Sequence, residues 1–555
     1  MGSTGSLLVP DAFASHHIIR PQHVFTSGAW GAPNDVLTIM ILCMELRSIL
    51  ALSETCRMFY DIIQNSATIQ LYLELAADQV ILNTRLRQTR RSIEWLEDLV
   101  RIRKGWLNLQ MTALPPIKLS CEDNEMLSAV QSGVFAYGAS TPGQPDGINR
   151  VKIVKLPHFP SMLRQKDSNS PSGVYPGSIV SNGSHISAFR GCPEQDLMIL
   201  GSLTGNGPCL SVHTISEGAR TPWPEVITLG SKQTGRTGPE LLQWEILIWN
   251  WKTGALVFRK STTSQSTAFT FLSTSSYILA EQQGTKAYLL VGDIEAESEM
   301  PTDTPCFKFE LPELSPGWGY GPLYFKNELP SAVPDSCEST QGFMADPRTG
   351  VIYLSVGLTG PISSLAGART AFIPHIGLFI SRASILDTIS QPQYRSCELV
   401  DLHWSRWGEH ATRWFDVGET PGLLSPVHGS RVIQLVRRHP AGTSWLQREA
   451  DTNRQLQHIV RAIEQYIVSY SLGGFSSNSA FVERFCKEHP TILDIPGAFL
   501  HKVVSRLPYR CVTHITPQNP GAEWILDGEY LLRVDEPAEG NGFCMVQPYA
   551  IFDRS

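Results

Sequence analysis

The sequence predicts an α+β multidomain protein. It reads as an N-terminal three-helix unit, a helical linker, and a mostly β body interrupted by a helical insertion. Three observations predict this. Apolar residues recur at helical spacing between 33 and 63. From about residue 113 the pattern becomes short strand-like runs between turn signals, in a chain with 44 Gly and 37 Pro. Between 451 and 489 helical spacing returns at Leu456, Ile459, Val460, Ile463, Ile467 and Tyr470, with Asp451 placed to cap. At 555 residues the chain has room for about three to four domains, or one large one with attachments. The expected boundaries are a disordered tail at 1–30, the three-helix unit at 31–75, the linker at 76–112 and the β body at 113–450. The helical insertion then covers 451–490, and strands closing the β body cover 491–555.

At the front of the helical unit, Asn34 can cap free N–H groups and Asp35 suits the first turn. Val36, Leu37, Met40, Ile41 and Met44 fall on one face, while Ile39 and Leu42 load the opposite side. Ser48 can cap a second short helix, Ile49 to Leu52. Leu52, Cys56, Phe59, Tyr60 and Ile63 form the stripe of a third helix. A unit of about 40 residues is near the lower limit for independent folding. Apolar surface beyond what it can hide marks a partner site.

Asp35-Val36-Leu37, Ile41-Leu42, Ile49-Leu50-Ala51-Leu52 and Thr55-Cys56-Arg57 followed by Phe59 carry a family resemblance. The stretch resembles the F-box, by which substrate receptors dock onto the Skp-type adaptor of cullin-based ubiquitin ligases. The family opens with Leu-Pro; here the pair is Ala32-Pro33, so the leading leucine is missing. The resemblance implies that Pro33, Val36, Leu37, Ile41, Leu42, Ile49, Leu50 and Phe59 face the adaptor or frame that face. Helical spacing alone equally allows these faces to pack on the rest of the same chain.

A formal net charge of −7 argues against bulk attraction to nucleic acid or an anionic membrane. Eleven cysteines without a C-x-x-C pair point to reduced thiols in the cytosol or nucleus. No signal peptide is visible, and the apolar run within 36–46 is too short to span a bilayer.

Leading into the linker, Ile69, Tyr72, Leu73, Ala76 and Val80 lie near one helical face, followed by Ile93, Leu96 and Val100 among mixed charges. Trp106-Leu107 anchors its end in a core. The β body offers runs at 117–119, 151–155, 196–200, 210–214, 245–250, 256–259, 287–291, 351–356, 376–380 and 431–436. Glu245 to Asn250, the turn Lys252-Thr253-Gly254, and the strand from Ala255 look like a WD-type propeller junction, with Asn250 in place of the aspartate. Asp293 follows about one blade later, at the ~40–45-residue period of such repeats. Asp346-Pro347-Arg348-Thr349-Gly350 before Val351 reads as another blade hairpin. The resemblance implies a degenerate β-propeller; a β-sandwich or two small β domains fit the same pattern.

His403-Trp404-Ser405-Arg406-Trp407, then Arg413-Trp414 and His428-Gly429, look like a pattern of fungal F-box proteins with β-rich C-terminal regions. The physical expectation is three packing tryptophans with Arg406 or Arg413 stacked on them. Residues 230–237 nearly spell a P-loop, but Arg236 replaces the lysine and Gly238-Pro239 blocks the helix that should follow. No metal, cofactor or catalytic constellation emerges. The F-box resemblance implies a non-catalytic substrate receptor, binding a Skp-type adaptor and through it a cullin, with an unknown protein substrate on the β body. The alternative is an interaction scaffold with no ubiquitin role.

Overall fold

The computed structural model describes residues 33–83, 87–109, 111–114, 116–120, 128–131, 134–139, 148–155, 178–180, 185–192, 197–204, 207–214, 242–250, 255–264, 267–273, 275–294, 307–325, 342–360, 375–394, 399–416, 427–438, 457–465, 482–487, 490–493, 495, 497–515, 523–528, 530–535 and 543–551. The chain is a mixed α+β protein dominated by strands, with its helices concentrated at the N-terminal end. The expected tail at 1–30 and the P-loop-like run at 230–237 lie outside the described residues.

Four helices open the structure: α1 (Asn34–Leu42), α2 (Leu46–Thr55), α3 (Arg57–Asn65) and α4 (Ala67–Ala77). Pro33, not Asn34, is the residue before α1; its carbonyl accepts from the Leu37 N–H and no side chain caps the helix. The Ser53 and Thr55 hydroxyls bond back to the carbonyls of Leu50 and Leu52, and Cys56 is fully extended. Such back-bonding competes with the ladder at a helix end, so the stripe expected from Leu52 to Ile63 is split between α2 and α3. Ser66 caps α4 by accepting from the Ile69 N–H. Ile41, Ile49, Ile63 and Ile69 meet in a small core of their own, flanked by Leu42, Met44, Leu52 and Phe59.

After α4 the chain makes strand β1 (Val80–Leu82) and helix α5 (Ser92–Asn108), then β2 (Met111–Ala113) and β3 (Ile117–Ser120). Successive antiparallel sheets follow. The first is β4 (Ser128–Gln131), β5 (Val134–Ala139), β6 (Arg150–Lys155) and β7 (Ser178–Val180). The second is β8 (His185–Cys192), β9 (Leu197–Thr204) and β10 (Gly207–Thr214); the third pairs β11 (Leu242–Asn250) with β12 (Ala255–Ser264). The fourth is β13 (Thr267–Phe271), β14 (Ser276–Gln283), β15 (Lys286–Asp293) and β16 (Phe307–Glu310).

In the fifth sheet β17 (Gly319–Phe325) pairs with β19 (Val351–Thr359), β20 (His375–Ser381) and β22 (Thr412–Asp416) in that order. Between β17 and β19, β18 (Phe343–Ala345) leaves the sheet to pair with β1. Between β20 and β22 come α6 (Arg382–Ile389), β21 (Val400–Leu402), which runs parallel to β16, and α7 (Trp404–Ala411). The sixth sheet has the order β23 (Val427–His428), β24 (Arg431–Arg438), β25 (Gln457–Gln465), β29 (Tyr509–Ile515), β26 (Val482–Lys487). Outside it, β27 (Thr491–Leu493) and β28 (Val503–Ser505) form a hairpin. The seventh sheet, β30 (Glu523–Asp527), β31 (Tyr530–Asp535) and β32 (Phe543–Ile551), takes its outer strands β2 and β3 from the start of the β body.

Four pairs of sheets touch through their first strands. β4 meets β8, β13 meets β17, β23 meets β30, and β30 meets β4, so the last sheet adjoins the first. A large core joins them at this seam. Trp95, Leu99, Ile102 and Trp106 of α5 pack with Phe135 and Val154 of the first sheet and Ile525, Leu531 and Val546 of the seventh.

Two expectations are corrected. The helical insertion at 451–490 is not helical where the structure describes it: 457–465 and 482–487 are strands of the sixth sheet. Ile459, Ile463 and Ile467 are four apart, a spacing that fits both a helix and an alternating strand. The turn at 346–350 is real, with the Asp346 carboxylate accepting from the Arg348 N–H, but it joins strands of different sheets and is not a hairpin.

Candidate functional site

The eight residues expected at the adaptor face divide into three groups. Leu37, Ile41 and Ile49 are buried, the last two in the helical unit's own core. Leu42, Leu50 and Phe59 are half-buried. Pro33 and Val36 are exposed, Val36 at 45%. The structure thus gathers Ile41, Leu42, Ile49 and Phe59 into one cluster and leaves Val36 outside it.

Three large apolar side chains missing from that set are exposed beside it: Ile39 at 63%, Met40 at 60% and Tyr60 at 43%. Met40 was expected on the Leu37 face; it points the other way. Val36, Ile39, Met40 and Cys43 stand at i, i+3, i+4 and i+7, a helical face as regular as Leu37, Ile41 and Met44. Periodicity revealed two apolar faces on α1 without saying which turns inward. The packing answers this, because α3 and α4 lie against α1 on its Leu37–Ile41 side. Cys43 and Cys56 are exposed thiols on the same unit.

The tryptophan cluster is packing. Trp404, Trp407 and Trp414 are buried, with ring centroids 5.2 Å apart for Trp404 and Trp407 and 5.9 Å for Trp404 and Trp414. Trp407 Nε1 donates to the Glu310 carbonyl at 3.0 Å, tying α7 to the fourth sheet. Arg406 is exposed. Arg413 is fully buried and lies over Tyr509, not over a tryptophan, at 5.0 Å. Its guanidinium donates to the carbonyls of Leu507 at 2.7 Å and Ser505 at 3.0 Å, and to Thr491 Oγ1 at 2.8 Å. These bonds tie β22 to the β27–β28 hairpin and to the segment before β29.

Among the described residues no group of three or more His, Cys, Asp and Glu could hold a metal ion. No described helix is long and apolar enough to cross a membrane. Burial pushes the hydroxyls of Tyr320 and Tyr353 up, far from any acid–base role near neutrality.

Strand β1 lies on β18 beside the turn at 346–350, where the Asp346 N–H donates to the Gln79 carbonyl. Elsewhere, Gln282 donates to the Tyr320 carbonyl, and Gln283, Gly284 and Thr285 form an exposed turn. Gly284 takes φ +64°, a conformation that favours glycine.

No family model and no curated protein matches this chain. Among solved structures it is similar to the WD40 domain of SCAP from fission yeast, at 9% identity and a TM-score of 0.29, covering 80% of this chain and 95% of that one. It is also similar to the C-terminal WD40 domain of Sif2, at 8% identity and 0.26, covering 79% and 98%. A third is TolB from Acinetobacter baumannii, at 9% identity and 0.23, covering 75% and 63%. Scores this low do not establish a shared fold.

Proposed function

We propose that this chain is a non-catalytic protein-interaction adaptor, the substrate receptor of a Skp-cullin-F-box type ubiquitin ligase. Its helical unit docks on the Skp-type adaptor, and its β body, a degenerate propeller, holds a protein substrate. The observation that carries the reading is the uncovered ridge of Val36, Ile39 and Met40 on α1, with Tyr60 of α3 on the same unit. These side chains are open to solvent and are not sealed beneath the β body. Exposed apolar surface of this kind on a folded unit marks a protein contact. Sheets that follow one another in chain order, meet through their first strands, and close with β2 and β3 on β32 support the propeller reading. The chain then contributes proximity: two binding surfaces on one molecule raise the effective concentration of a substrate at the transfer site.

The test is binding of the full chain to a purified Skp-type adaptor by calorimetry. Wild type should bind, and Ile39→Asp with Met40→Asp should bind about 100-fold more weakly or worse. Absence of binding by well-folded wild type would overturn the ligase reading and leave an interaction scaffold with another partner.

A further inference from the structure

We infer that residues 78–83 and 87–109 latch the helical unit onto the β body so that the two move as one rigid piece, with Arg103 the positioning residue of the latch. The pairing is continuous. Val80, Ile81 and Leu82 register with Ala345, Met344 and Phe343, extending a strand from the helical side into the β body. Both ends of this ribbon are pinned: the Asn83 N–H donates to the Gly342 carbonyl at 2.9 Å, and the Asp346 N–H to the Gln79 carbonyl at 2.9 Å. Gln79 holds φ +56° to make this junction, a conformation a non-glycine residue keeps only when its surroundings impose it.

Arg103 of α5 fixes the start of the ribbon. Its Nε lies 2.7 Å from Asp78 Oδ1, its Nη1 2.5 Å from Glu74 Oε2, and its Nη2 donates to the Glu74 carbonyl at 3.2 Å. The side chain is buried, and burial alone would weaken its charge. The two carboxylates outweigh that penalty and raise its pKa instead. Helix α5 is held in turn by the β body. Trp95 packs edge-on against Phe343 at 5.6 Å, and the Arg431 guanidinium lies over Trp106 at 5.0 Å. Thus α4, the β1–β18 ribbon and α5 form a closed triangle, each side held by the other two.

The latch rests on the proposed function only for its use, namely fixing the direction of one binding surface relative to the other. It is testable without any partner, by hydrogen exchange of the full chain with mass-spectrometric readout. Arg103→Met should speed exchange at 78–83 and 343–346 by about tenfold or more, leaving α1–α3 and β14–β15 at wild-type rates. If Arg103→Met does not fold, Glu74→Gln with Asp78→Asn should give the same localised pattern. Unchanged exchange at 78–83 and 343–346, or equal acceleration everywhere, would overturn the latch. A wild type that fails to bind a Skp-type adaptor would leave this result untouched.

Discussion

Ile39 and Met40 are adjacent on the outer side of α1, each with more than half its surface in water, whereas Ile41 one position later is only 2% exposed. This contrast sets the design of any mutational test. Ile39→Asp with Met40→Asp removes apolar contact without opening a core. Each side chain buried at an interface is worth about 1.5–3 kcal/mol, so the pair should weaken adaptor binding about 100-fold or more. The melting temperature should stay near wild type. Ile41→Asp instead buries a carboxylate in the helical core, and loss of helical signal by circular dichroism should accompany any loss of binding. Arg413 is the other decisive residue. Arg413→Met strands the carbonyls of Leu507 and Ser505, each costing about 1–3 kcal/mol when left unpaired and buried, so thermal unfolding should shift clearly downward.

At the scale of the element, α7 depends on a glycine. A Cβ at Gly408 would stand 2.2 Å from the Trp404 ring, and that ring is wedged against Trp407 and Trp414. Gly408→Ala should therefore cost about 1–3 kcal/mol through overpacking, read as a lower denaturant midpoint with an unchanged slope. Elements also show what the sequence could reveal. Nine of the ten strand runs read from residue patterns fall within strands, and the described part of the tenth, 197–200, does too, because alternating aliphatics between Gly, Pro and polar turns leave few alternatives. The segment at 457–465 misled because its isoleucines satisfy two periods at once, and the sheet that decides between them comes from β24 and β29. The boundary at Cys56 was hidden for a related reason: the apolar stripe continues across it while the backbone does not. Among the candidate site residues, sequence identified an apolar helical unit but did not show which of its apolar side chains stay in water. Which side of α1 turns inward is set by contacts with α3 and α4, and no residue of α1 encodes that alone.

For the whole molecule, the two ends of the β body meet: β2 and β3 supply the outer strands of a sheet whose other strands lie beyond residue 522. Removing residues 1–120 should leave β32 with a bare edge and take α5 from the seam core, so the truncated protein should lose cooperative thermal unfolding or aggregate. The most direct test is a hydrogen-exchange footprint of a Skp-type adaptor on the full chain. Protection confined to residues 36–43 and the neighbouring part of α3, with the β body unchanged, is the predicted result. A stable complex whose footprint falls on the β sheets and spares α1 would contradict the account.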